Sequence, residues 1–176
     1  AYRLRRTPLY TTWLAVLVRD VIHVTRHNAE APEDITHRLI ATVSNLKQTR
    51  VCAHVRVRTD AGDVDVFNTH LSLPAAFTPE FWTEPRRLGW GKNQIEEAKA
   101  LQRFVDQTRA GSAGFVVLGD FNSLPGSPVY KHFVGECRYK DAFGEFYRMT
   151  HDELRAFPTS GFLNMRMHLD HVFSGL

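Results

Sequence analysis

Residues Phe115-Val116-Val117-Leu118-Gly119-Asp120-Phe121-Asn122 constrain the fold more than any other stretch of the chain. A short apolar run, β-branched in part, stops abruptly in Gly-Asp-Phe-Asn. Such a run is long enough for a buried strand and too short for a typical helix. It therefore delivers a carboxylate and an amide to the edge of a sheet. Gly119 lets the backbone bend, or approach a neighbour closely, just before the polar pair. The turn-forming run Ser123-Leu124-Pro125-Gly126-Ser127-Pro128 follows at once. Function concentrates where a rigid element hands over to a loop. Taken alone, Asp120 and Asn122 fit equally well a plain Asx turn closing a core strand.

A second segment ends in the same way. In Val64-Asp65-Val66-Phe67-Asn68-Thr69-His70-Leu71 the strand period of two puts Val64, Val66, Asn68 and His70 on one face. An apolar stripe that turns into Asn and His at one end is expected to be a core face running into a site. The bland alternative for His70 is a buried histidine bonded to backbone. The third segment is Met167-His168-Leu169-Asp170-His171-Val172-Phe173. As a strand it places His168, Asp170 and Val172 on one face, and Leu169, His171 and Phe173 on the other.

These three segments, in this order, resemble the endonuclease/exonuclease/phosphatase superfamily of deoxyribonuclease-like, metal-dependent phosphodiesterases. Asn68-Thr69-His70-Leu71 matches the family's Asn-Thr-His-Leu motif, and Gly119-Asp120-Phe121-Asn122 its Gly-Asp-Phe-Asn motif. Leu169-Asp170-His171-Val172-Phe173 is similar to its late strand, usually Arg-Leu-Asp-Tyr-Ile-Phe. The resemblance extends over about residues 11–176. It implies an α/β fold of the four-layer α/β/β/α sandwich type, present as one partial domain over residues 1–176 and incomplete at both ends.

Two family features are missing. The family has an early strand ending in a metal-binding Glu, commonly within Gln-Glu. The only glutamates before the first matched motif here are Glu30 and Glu33, in a polar stretch that reads as loop. The family also ends in Ser-Asp-His, whereas this sequence runs from Ala1 to Ser174-Gly175-Leu176, just past the late strand. The expectation is a fragment lacking the first part of the fold and its last strand, and nearly inactive by itself. The alternative is a protein that has lost its metal site.

The chemistry implied by the resemblance is hydrolysis of a phosphoester. A divalent cation, Mg or Mn, would neutralise charge at phosphorus, with oxygen ligands as usual for such ions. By the resemblance, Asp120 orients and deprotonates the attacking water. Asn122 holds the water or a phosphate oxygen, and His70 bonds a non-bridging oxygen as charge builds. Asp170 pairs with the histidine of the final motif and is not a metal ligand. Asn68 supports the site indirectly, and His171 is structural. The metal ligands are left unassigned. The implied partners are phosphorylated substrates: nucleic acid, a nucleotide or a phospholipid head group. No protein partner is indicated. The other readings are a non-catalytic binding module on the same fold and a sphingomyelinase-like phospholipid phosphodiesterase.

The rest of the chain is consistent with one domain. Its 176 residues, 43% hydrophobic and 23% charged, suit a packed soluble core. A formal charge of +3 leans weakly toward anionic partners. The densest basic run, Arg3-Leu4-Arg5-Arg6, reads as a solvated segment. Cys52 and Cys137 lie in no metal or redox spacing, and Cys52 reads as a small buried hydrophobe. No signal peptide is visible, so the compartment is undetermined. Trp13–Val18 reads as a buried strand too short to span a bilayer.

Residues 12–25 read as one or two strands, and 39–46 as either helix or strand. Residues 50–59 alternate and turn through Asp60-Ala61-Gly62-Asp63 into the Val64 strand, a hairpin. Residues 72–92 form a long loop rich in Pro, Phe and Trp that walls the site; its Phe81, Trp82 and Trp90 either meet substrate or fold back as a cover. Asn93 opens a helix with Glu96 completing its cap, an apolar stripe at Ile95, Ala98, Leu101, Phe104 and Val105, and Gly111 at its end. A short helix is expected from Pro128 to Val134 and another after Asp141.

Overall fold

The computed structural model describes residues 14–38, 48–74, 87–162 and 164–175. The expectations for Arg3-Leu4-Arg5-Arg6, for 39–46, and for Phe81 and Trp82 of the long loop lie outside the described residues. Strands β1 (Val24–His27), β2 (Glu33–Asp34), β3 (Val51–Thr59), β4 (Gly62–His70) and β5 (Gly114–Asp120) are followed by β6 (Lys140–Asp141). A small hairpin of β7 (Ser160–Phe162) and β8 (Met165–Met167) precedes β9 (Asp170–Ser174). The main sheet has seven strands in the order β1-β3-β4-β5-β9-β6, with β2 also paired to β3. Only β4 and β5 run parallel within it. A parallel pair needs a crossover, and helix α1 (Lys92–Thr108) lies in sequence between the two strands. The α/β class implied by the sequence is the class of the fold.

The hairpin turns where Gly62 takes φ +117°, a conformation that glycine adopts without a Cβ penalty. One face of the sheet is packed. Phe67, Val117 and Phe173 from the strands meet Ala98, Leu101 and Val105 of α1, each at 0% exposure. The apolar stripe of α1 is the one read from the sequence. Its start is not: the N-cap is Gly91, and Gln94 rather than Glu96 bonds back to the cap N–H. Asn93 instead donates from Nδ2 to the Leu73 carbonyl, so tertiary contacts displaced the local capping pattern. Helix α2 (Pro128–Lys131), capped by Ser127, runs into a π-turn at His132–Glu136. Helix α3 (Ala142–Tyr147) is capped by Asp141, and α4 (His151–Ala156) by Thr150. No helix among the described residues is long and apolar enough to cross a membrane.

The other face is only half covered. Val64, Val66, Asn68 and His70 do share a face, but it is this half-buried one. The tightly packed face of β4 carries Asp65, Phe67 and Thr69. Alternation gives which residues go together, not which set faces the helix. Among the described part of Trp13–Val18, Leu14, Val16 and Val18 are half-buried and Leu17 is 96% exposed. The period of two is there, but without ladder bonds these residues are no strand. Residues 14–23 lie outside any element, and among the described residues of the 12–25 region only Val24 and Thr25, the start of β1, are in a strand.

Candidate active site

Gly119 makes the site geometrically possible. Its φ is +140°, and a Cβ there would lie 1.9 Å from the Thr69 carbonyl oxygen. The close approach of β5 to β4 just before Asp120 therefore requires glycine. It brings His70 directly beside Asp120 in the parallel ladder, and Asp120 directly opposite Asp170 in the antiparallel one. Three strands thus bring their polar ends to a single edge, as the sequence led us to expect. His70 Nε2 lies 3.5 Å from Asp120 Oδ2, with the two side chains 37% and 32% exposed, so solvent or a ligand reaches both.

The electrostatics are poised. Partial burial lowers the His70 pKa, an effect opposed by Asp120 and Asp170 and reinforced by Arg50. Partial burial also raises the Asp120 pKa, against the Asn122 N–H and His70, with Asp170 adding to the rise. A carboxylate held above its ordinary range is a stronger base than a free one. One oxygen of Asp120 accepts from the Asn122 N–H at 2.8 Å. That is the Asx turn of the bland reading, and it leaves the second oxygen facing His70.

The remaining expected residues fall into two groups. Asn68 shares the face of His70 and donates from Nδ2 to the Ala15 carbonyl at 3.0 Å, holding the 14–18 segment against the sheet. Asn122 is 5% exposed, has φ +46°, and donates from Nδ2 to the Leu71 carbonyl at 2.8 Å. It ties the two site loops together as well as bordering the site. His171 is buried away from Asp170, donates from Nε2 to the Ser123 carbonyl, and stacks on Phe173. His168 departs from the expected pattern. It lies before β9 begins, is 2% exposed, and packs its ring 5.0 Å from that of His171, on the side opposite Asp170. The period of two fails there because the residue is not in a strand.

Beneath the edge lies a buried polar layer that strand patterning did not reveal. Glu97 accepts from the Ser72 N–H and hydroxyl at 2.8 and 2.7 Å, and burial raises its pKa. Arg50 donates from Nε to Ser72 Oγ at 3.1 Å. Gln94, fully buried, bonds both site loops. The signal was present: Gln94, Glu97, Ala98 and Leu101 follow helical spacing, and the buried residues of α1 begin with three polar ones, Asn93, Gln94 and Glu97.

The magnesium or manganese implied by the resemblance needs several oxygen ligands converging on one point. Among the described residues no group of three or more His, Cys, Asp and Glu is placed to hold a metal ion. The described residues by themselves make no complete ligand set for such an ion.

No protein-family model and no curated protein matches the sequence. Solved structures do match. A mannosyl-6-phosphatase of Bacteroides thetaiotaomicron is 16% identical, with a TM-score of 0.51 over 87% of this chain and 52% of that one. A hairpin-deletion mutant of Staphylococcus aureus beta toxin is 14% identical, with a TM-score of 0.52 over 87% and 51%. An endonuclease/exonuclease/phosphatase family protein of B. thetaiotaomicron is 15% identical, with a TM-score of 0.49 over 87% and 51%. The chain has the endonuclease/exonuclease/phosphatase fold. It spans about half the length of these structures. The fold type named from the motifs is therefore the type of the fold, its described residues forming a seven-stranded sheet with α1 on the packed face and a separate two-stranded hairpin.

Proposed function

We propose that this chain carries the central part of a phosphoester hydrolase site, with Asp120 as general base toward the attacking water. The observation that carries this reading is the side-by-side register of His70, Asp120 and Asp170 at one open edge. The water oxygen attacks phosphorus as the bond from phosphorus to the ester oxygen of the leaving group breaks; the water's proton passes to Asp120, whose raised pKa suits it to accept, and the departing alkoxide takes a proton from solvent. His70, held toward its neutral form, keeps a ring N–H to bond a non-bridging phosphate oxygen as charge develops. Asn122 fixes the Asp120 carboxylate through its backbone N–H and borders the phosphate. Asp170 is a negative neighbour that holds the Asp120 pKa up. Substrates of this chemistry are nucleic acid, a nucleotide or a phospholipid head group; the fold leaves the choice to the loops. A divalent cation, if used, needs a carboxylate from outside the described residues.

The second reading is a binding module on the same fold, favoured by the lack of a three-ligand group among the described residues. One experiment separates the two. Turnover of a generic phosphodiester and of a phosphomonoester is measured with magnesium or manganese, for the 176-residue chain and for the protein with its flanking coding sequence. The hydrolase reading expects turnover in the longer protein that depends on Asp120. Tight phosphoester binding without turnover in that protein sinks it in favour of the binding module. Strong magnesium-dependent turnover by the chain alone overturns the reading of the chain as a nearly inactive fragment.

A further inference from the structure

We propose that Gln94 is a positioning residue, a buried cross-link that sets the spacing of the loops carrying His70 and Asp120. The proposal deepens the hydrolase reading of this edge, yet its geometry stands independently of activity. The Gln94 side chain is fully buried and every polar atom on it is used. Its Nε2 donates to the Ser72 carbonyl and to the Asn122 carbonyl, both at 2.8 Å. Its Oε1 accepts from the Gly89 N–H at 3.0 Å and the Gly91 N–H at 3.2 Å. Primary amides have two donor hydrogens and one acceptor oxygen with two lone pairs, so one side chain joins the loop after β4, the loop after β5 and the entry to α1.

The two carbonyls are well chosen for this role. Ser72 lies two residues after His70, and Asn122 two residues after Asp120. The same two loops are tied a second time by Asn122 Nδ2 to the Leu71 carbonyl. Asn122 itself sits in the left-handed region at φ +46°, an uncommon conformation for a non-glycine residue, tolerated better by Asn than by most and held by its surroundings. The Gln94 bond to the Asn122 carbonyl is one such enforcing contact. Only a side chain with two donors on one nitrogen can hold both carbonyls from a single rotamer. A carboxylate of the same shape would instead set an oxygen against two carbonyl oxygens.

The test uses NMR on this chain, so it is read whether or not hydrolysis is observed. The groups facing His70 are Asp120, Asp170 and Arg50; a change in loop spacing alters their effect and its desolvation together. In Gln94→Met the His70 titration is expected to move up toward the ordinary histidine value, because desolvation is the largest cause that holds it down. In Gln94→Glu the Oε1 bonds to Gly89 and Gly91 survive, which keeps the helix entry folded. The Ser72 and Asn122 carbonyl ¹³C resonances are then expected to shift together. Val105→Ala, further along the same helix, controls for simple destabilisation and leaves His70 in place. Where hydrolysis is present, turnover falls up to ~10²-fold with KM little changed, as for a small misplacement of reacting groups. An unmoved His70 in folded Gln94→Met overturns the proposal. So does a Gln94→Glu chain in which only one carbonyl responds, or an equal His70 shift in Val105→Ala.

Discussion

Strand β4 contributes to two histidine–aspartate pairs, one on each face of the sheet, and they are built for opposite ends. On the packed face, Asp65 accepts from His54 Nε2 at 2.7 Å and from Arg56 Nε and Nη2 at 2.8 and 2.9 Å. Arg56 also donates to the Thr108 carbonyl, fastening the C-terminal end of α1 to the sheet. His54 stacks on Phe67. Asp65 is fully buried, and although burial alone would raise its pKa, its partners hold it below the ordinary value. On the half-covered face, His70 and Asp120 stand 3.5 Å apart, a third exposed, and Asp120 is shifted the other way. The same residue types thus form a lock where both carboxylate oxygens are bonded to cations or imidazole, and a poised base where one oxygen is left available. Saturation separates structure from chemistry here, not composition.

The comparison is broken most directly at Asp120. In the intact protein Asp120→Asn is expected to cut turnover by roughly 10²–10⁴-fold, the range for losing a general base, with stability unchanged or raised. Turnover at saturating magnesium beside a thermal melt reads both. Near-normal turnover with an earlier melt would make Asp120 a turn-former and remove it from catalysis. Asp65→Ala should do the reverse. Removing one partner of a buried ion pair costs about 3–5 kcal/mol, while turnover per folded molecule is retained. Denaturant titration checks the loss, and a stability change under 1 kcal/mol would dissolve the contrast between the two pairs.

Gly119→Ala comes next, because it attacks the spacing and not the charges. Its Cβ has no room against the Thr69 carbonyl, and the φ of +140° is strained for any side chain. Backbone strain and overpacking together cost about 3 kcal/mol. The melt should fall accordingly, and exchange protection should be lost between β4 and β5. Retained protection there means that the close approach is not what assembles the edge.

How much of this was legible in the sequence follows from where the information lies. Strand ends such as Phe67-Asn68-Thr69-His70 and Leu118-Gly119-Asp120 were readable because a period of two and an abrupt polar stop are local signals. Which face of β4 packs was not, since Val64/Val66 and Phe67 are both apolar and the choice depends on where α1 crosses. His168 misled because its neighbours imitate a strand while the β9 ladder begins at Asp170. Gln94 and Glu97 escaped because polar residues on a helix are read as solvent-facing by default. Only the position of the two loops reveals that their polar groups are buried with partners, as burial demands.

The pH dependence of stability sharpens the contrast, because the two aspartates carry opposite signs. The Asp65 folded-state pKa is depressed. Its contribution is complete above the unfolded value of ~3.9 and is lost as pH falls through the lower folded value. The Asp120 folded-state pKa is raised. Its ionised form therefore destabilises the fold at all pH above that raised value, and the penalty vanishes as pH falls to ~3.9. Melts of Asp120→Asn against the unsubstituted chain should show the variant ahead at pH 7 and the gap closing on acidification. A gap that widens on acidification would reverse the assigned sign.

The smallest effect is expected at Asp170, the member of the site edge that is most exposed to solvent. Its carboxylate lies opposite Asp120 across the β5–β9 ladder, and like charges on facing strand positions repel. Asp170→Asn keeps the shape and removes the repulsion, so stability should change by no more than about 0.5 kcal/mol, as for an exposed substitution. The informative change is in titration. Asp170 raises the pKa of both Asp120 and His70, so the variant should move both downward together. Desolvation would still hold Asp120 above the ordinary carboxylate value, because it is the largest cause of the rise. Carboxyl ¹³C and imidazole titrations read the two groups in one sample. If Asp120 falls to the ordinary value, repulsion and not burial is what poises it. If neither group moves, the three polar strand ends share an edge without sharing a field, and Asp170 drops out of the site.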